Sequence, residues 1–121
     1  MVWKYEQATG RLLNAAGVRV ATGYSGKGKS KNVPTDQHLV GVGPLPRGTY
    51  SMNAPRNSTT TGPYAIDLVP DAKNQMFGRS AFQIHGDSIK APGTASSGCI
   101  IMPRNIREMV WNSGDRQIEV V

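Results

Sequence analysis

The stretch AFQIHGDSIKAPGTASSGCIIM, residues 81–102, decides how this chain is read. Its first five residues, Ala81-Phe82-Gln83-Ile84-His85, alternate apolar and polar side chains, which predicts a half-buried β-strand. Phe82 and Ile84 share one face of that strand; Gln83 and His85 share the other. Gly86 ends it. A loop of small residues follows, with Pro92, Gly93, Ala95, Ser96, Ser97 and Gly98, and Cys99 opens a second apolar run, Cys99-Ile100-Ile101-Met102. A histidine at the end of one strand and the only cysteine, at the start of the next, are thus joined by a loop that can fold back.

That pair suits acyl transfer by sulfur. The thiolate is the nucleophile, and a neighbouring imidazolium is expected to lower the thiol pKa by stabilising the anion. Gly98 lets backbone approach a substrate, and the amides of Gly98 and Cys99 are expected to face a developing oxyanion. The residues alone leave a second reading open, in which Cys99 is a small buried hydrophobe.

Ser96-Ser97-Gly98-Cys99-Ile100, with His85-Gly86 upstream, resembles the active-site signature of the L,D-transpeptidases, cysteine enzymes of peptidoglycan cross-linking. Their usual form is His-Gly, a loop, then Ser/Thr-His-Gly-Cys-apolar-Arg/Asn. Ser97 stands where that family usually has His, and Ile101 where it has Arg or Asn. The chain is more similar to the small L,D-transpeptidase-like effectors that type VI secretion systems deliver into rival bacteria, which share a relaxed Ser-x-Gly-Cys signature. Gly43-Pro44-Leu45-Pro46-Arg47-Gly48-Thr49-Tyr50 resembles the family's Thr-Pro-x-Gly-x-aromatic segment, and Tyr24-Ser25-Gly26 its earlier Ser-Thr-Gly element, so the likeness runs through most of the chain in order.

The bounds agree with such a fold. A chain of 121 residues is read as one domain, 1–121, large enough for a core. Its 14 glycines and 8 prolines favour a turn-rich β fold over a helical bundle. One cysteine excludes an internal disulfide and a cysteine-based zinc cluster, and no metal or cofactor is expected. The net charge of +6 points to anionic partners. No apolar run approaches a membrane span, and Met1–Glu6 lacks the form of a signal peptide.

From the N-terminus, Val2–Glu6, Arg11–Leu13 and Val18–Ala21 read as a meander turning at Thr9-Gly10 and Ala16-Gly17, with Trp3, Tyr5, Val18 and Val20 in packing roles. Gly23–Ser30, GYSGKGKS, fits the phosphate-loop pattern. That mechanism needs a helix beginning at the lysine, and Pro34 breaks any helix there. The better reading is a basic loop of Lys27, Lys29 and Lys31, which can also attract an anionic glycan-peptide. His38 has no metal-ligand spacing and reads as a surface residue before a buried strand or turn at Leu39–Val42. Pro44–Gly48 is a rigid turn, Thr49–Met52 a strand, 53–62 a polar loop or flap, and Tyr64–Val69 a strand carrying Asp67 on its second face. Pro103–Asn112 is the one helix, with Ile106, Met109 and Val110 facing the core, Arg104 and Arg107 solvated, and Gly114 as its stop. Gln117–Val121 closes the chain as a strand.

The fold expected is a mostly-β sandwich or barrel-like domain with one short C-terminal helix. The resemblance implies a cysteine enzyme acting on peptidoglycan stem peptides as carboxypeptidase or D-amino-acid exchange transpeptidase. Cys99 attacks, His85 moves protons, the Gly86 carbonyl or the rival Asp87 steadies the imidazole, and Ser96 braces the loop. Substrate contacts are expected from Arg47, Arg79, Ser97 and Asp87. The protein is expected to be made in the cytoplasm without a signal peptide and to act in a target periplasm after secretion, with an immunity protein and a secretion carrier as partners. A non-catalytic wall-binding module and a basic nucleic-acid-binding domain are the competing classes; scarce aromatic side chains disfavour the latter.

Overall fold

The computed structural model describes all 121 residues. Strands β1 (Val2–Tyr5), β2 (Arg11–Leu13) and β3 (Arg19–Thr22) form an antiparallel meander. β4 (Tyr24–Ser25) follows, then β5 (Gly48–Met52), β6 (Arg56–Ser58), β7 (Gly62–Pro70), β8 (Phe82–His85) and β9 (Ile100–Ile101). Helix α1 (Arg104–Asn112) and strand β10 (Gln117–Val120) complete the chain. The strands run β3-β2-β1-β10-β5-β7-β8-β9-β4 across one sheet, with β6 paired to β7 off that path. β1–β10 and β8–β9 are parallel pairs.

The first and last strands of that order, β3 and β4, are consecutive in sequence and separated only by Gly23. The sheet is therefore rolled until the chain itself joins its edges, the barrel-like member of the expected class. Gly23 is required there: a Cβ would stand 1.9 Å from the Ile101 carbonyl oxygen.

One face fills the core. Trp3, Tyr5, Leu12, Tyr50, Ile66, Leu68, Phe82, Ile84, Ile100 and Ile118 cluster there, with Ile106 and Val110 of α1. Each buried aliphatic side chain contributes about 1.5–3 kcal/mol, enough in sum to hold a rolled sheet without a disulfide. Pro103 sits at the N-cap of α1, and Gly114, at φ +83°, follows its end.

Several expectations need correction. Val18 and Met109 are exposed, and of the two readings of Leu39–Val42 the turn holds rather than the strand, with Val40 in solvent. The polar segment 53–62 contains β6. The stripe on α1 is Ile106, Arg107 and Val110, so Arg107 is buried rather than solvated. Residues 28–30 form one 3₁₀ turn, with a second at Pro34–Asp36, so no α-helix follows Lys29.

Candidate active site

The register of β8 on β9 sets the geometry. Ile84 lies beside Ile100 and His85 beside Ile101, in parallel. His85 and Ile101 therefore point to the same side, and Cys99, two residues before Ile101, points there too. By strand rise and spacing, the His85 and Cys99 backbones stand roughly 8 Å apart, and no hydrogen bond joins the two side chains. Asp67 of β7, paired with Gln83, adds to the same polar face. Both faces of β8 are covered: Gln83 and His85 are as buried as Phe82 and Ile84, so the strand is not half-exposed.

His85 is held by its neighbour. Nδ1 lies 2.8 Å from the Gly86 carbonyl oxygen, which makes Nδ1 the protonated nitrogen, and the His85 carbonyl accepts from the Met102 amide at 3.1 Å. Nε2 has no protein partner and is not among the buried orphan atoms, so it is open to solvent. Burial pushes the imidazole pKa down and the Arg107 charge adds to this, against the Gly86 carbonyl and Asp87. At neutral pH the ring is a neutral base.

Cys99 is half-buried, and its sulfur accepts the Gln83 amide at 3.3 Å. Burial pushes the thiol pKa up; the Gln83 amide and the Arg79 charge oppose this, while Asp67 adds to it. The resting pair is therefore neutral thiol and neutral imidazole, not the expected imidazolium-stabilised thiolate, because burial disfavours both charged forms. The Cys99 amide makes no hydrogen bond within the protein, whereas the Gly98 amide donates to Ser96 Oγ at 3.1 Å. Of the two expected oxyanion donors only the Cys99 amide is free.

The loop before Cys99 is tied from three sides. Ser96, fully buried, donates to the Cys99 carbonyl at 2.6 Å and accepts the Gly26 amide at 2.9 Å. Ser25 Oγ donates to the Gly98 carbonyl at 2.9 Å and accepts the Leu45 amide at 2.8 Å. Gly98 has φ +135°, and a Cβ on it would stand 2.5 Å from Arg79 Nη2.

Arg79 is not a substrate group. Its guanidinium is buried and donates to the carbonyls of Gln37, Pro44, Gly43 and Ser97 at 2.6–3.1 Å. It clamps the 37–44 turns to the cysteine loop. Asp87 accepts the Tyr24 hydroxyl at 2.6 Å and the amides of Ser88 and Gly93, so it organises its own loop while Gly86 orients the imidazole. Ser97 is exposed, and Arg47 is an exposed turn residue whose side chain has no partner in the protein.

Sequence reasoning missed two residues here. Arg107 donates to the carbonyls of Met102, Tyr64 and Pro63 at 2.6, 3.0 and 3.2 Å and lies against Gly86. Gln83 bridges the site to β7: its Nε2 donates to Asp67 at 2.8 Å, its Oε1 accepts the Thr61 hydroxyl at 2.8 Å, and Asp67 is paired with Arg56 at 2.6 Å. The position of Arg107 on the apolar stripe, between Ile106 and Val110, was the available signal. Clefts of about 340 Å³, beside Tyr24, Asp87 and Ile101, and about 280 Å³, beside Phe82, Arg79 and Ser97, are lined by sequence neighbours of the pair but by neither His85 nor Cys99. No group of three or more His, Cys, Asp or Glu side chains is arranged to hold a metal ion.

A family model described as the Tlde1 domain matches residues 19–120. No curated protein and no solved structure matches the chain.

Proposed function

The chain belongs to the Tlde1 domain family, which points to a type VI secretion effector, and from that premise we propose that it is a cysteine acyl-transfer enzyme acting on peptidoglycan stem peptides in a target cell. The observation that carries the reading is the β8–β9 register, which turns Cys99 toward the same side as an imidazole whose Nδ1 is committed to the Gly86 carbonyl and whose Nε2 is free.

In this reading Nε2 of His85 takes the thiol proton as Cys99 attacks the carbonyl between the third stem residue and the D-residue after it. The S–C bond forms, and the carbonyl oxygen becomes an oxyanion that faces the free Cys99 amide. Collapse breaks the C–N bond, and His85 returns the proton to the departing amine. Water or the amine of a free D-amino acid, deprotonated by the same ring, then attacks the thioester; the C–S bond breaks and the ring returns the proton to the Cys99 sulfur. The neutral resting pair suits this order, because proton transfer and attack occur together and no thiolate is exposed beforehand.

The experiment is mass spectrometry of tetrapeptide muropeptides incubated with the protein and with Cys99→Ala, with and without a free D-amino acid. Loss of the terminal D-alanine, or its exchange, by the unmutated protein alone is the expected result. Unchanged muropeptides with a folded, reduced sample would remove this activity and leave the wall-binding class.

A further inference from the structure

The GYSGKGKS segment, left without a nucleotide role, lies against the candidate site. Register brings Ser25 beside Ile100, and one step further along the two antiparallel strands brings Gly26 beside Cys99. The Gly26 amide is tied to Ser96, which also holds the Cys99 carbonyl. The loop that continues from Gly26 is fixed. Asn32, in the left-handed region at φ +58°, accepts the Ser25 amide through Oδ1 at 3.1 Å and returns its own amide to the Ser25 carbonyl at 2.9 Å. The Lys27 amide donates to the Val42 carbonyl at 2.8 Å, and Ser30 Oγ donates to Asp36 at 2.8 Å.

This braced loop holds Lys27 and Lys29 exposed. Neither belongs to any of the four ion pairs in the protein. Lys31 differs: its ammonium sits 4.5 Å over the Tyr24 ring and faces Asp87, whose carboxylate its charge helps keep ionised. A rigid loop with two uncompensated cations one strand from the sulfur suits an anionic ligand, because the loop is ordered before the ligand arrives.

We propose that Lys27 and Lys29 form a cationic rim that binds the free carboxylates of the stem peptide and draws it across β4 to Cys99. This rests on the stem-peptide reading for its substrate and adds the specificity: a stem with ionised carboxylates is held, and one whose carboxylates are amidated is not. Attraction between exposed charges is screened within about 10 Å at 0.1 M salt, so recognition here is salt-dependent.

The test uses Cys99→Ala protein, which separates binding from turnover. A disaccharide-tetrapeptide with free carboxylates, and the same compound amidated, are titrated by calorimetry between 50 and 300 mM NaCl. The Lys27→Gln, Lys29→Gln double replacement is expected to weaken binding of the free-carboxylate compound about three- to tenfold and to flatten its salt dependence. The amidated compound is expected to bind the parent as weakly as the free compound binds the double variant, with no further loss on replacement. Lys27→Arg, Lys29→Arg is expected to retain binding. Equal affinity and salt dependence in parent and double variant, or no binding of the free compound to the parent, overturns the proposal. Lysine-dependent binding by a protein whose unmutated form turns nothing over would preserve the rim and sink the enzymatic reading instead.

Discussion

The amide nitrogen of Gln83 stands 3.3 Å from the sulfur of Cys99. The same residue's side chain grips Asp67 at 2.8 Å, so one strand residue presents the nucleophile with a backbone donor that stabilises a thiolate and fixes a carboxylate that disfavours it. Burial then tips the balance toward the thiol. Cys99 is expected to alkylate with iodoacetamide at pH 7 more slowly than a cysteine in an unstructured peptide. Asp67→Asn keeps a polar partner for Gln83 and removes the charge, and is expected to raise that rate about two- to fivefold. A rate unaffected by Asp67→Asn would show that the carboxylate does not act on the sulfur.

Ser96 binds three backbone groups with one buried hydroxyl: the Cys99 carbonyl and the amides of Gly26 and Gly98. Replacement by alanine strands all three in a site with no exposure. The expected loss is about 1–3 kcal/mol in urea unfolding, with a fall in kcat larger than any change in KM, because the Cys99 amide would no longer be held in position. A variant with the parent's unfolding midpoint and kcat would show the brace to be dispensable.

Arg79 offers a sharper contrast between roles. A carboxylate-binding arginine at the surface can be replaced with little effect on stability, whereas this one satisfies four carbonyls from two segments. Arg79→Met is expected to destabilise by about 2–4 kcal/mol, and Arg79→Lys, a cation without the planar fork, to recover part of that. An Arg79→Met protein with the parent's Tm and only a raised KM would return Arg79 to the substrate-binding role.

What was legible in the residues follows local periodicity. The alternation at 82–85 placed Gln83 and His85 on one face, and α1 and the closing strand were found within a residue or two of their ends. Partners chosen across the fold were not legible. Arg79 and Arg107 look like surface charges because what buries them is a set of loop carbonyls, and carbonyls carry no sequence signal. The Gly98 amide looked free because Ser96, two residues away, is turned inward by the loop's path. Joining the sheet edges through Gly23 depends on how the whole sheet rolls, which strand patterns do not encode.

Arg107 ties pH dependence to the buried side of the site. His85 acts as a base in its neutral form, and its pKa lies below the ordinary 6.5 because of burial and the Arg107 charge. The acid limb of kcat/KM is therefore expected below pH 6.5. Arg107→Gln removes a cation, makes the imidazolium less unfavourable and moves the limb up toward 6.5; Asp87→Asn removes an anion and moves it down. Arg107→Lys, which keeps the charge, is expected to hold the limb near the parent's position even if stability falls. The same shift sets a stability slope. Below pH 6.5 the unfolded histidine takes a proton that the folded one refuses, so stability falls as pH drops from about 6.5 through the folded value. Urea unfolding across that window should show the slope in the parent and lose it in His85→Gln. An acid limb that Arg107→Gln leaves in place, with the variant folded, would confine Arg107 to holding the carbonyls of Pro63, Tyr64 and Met102.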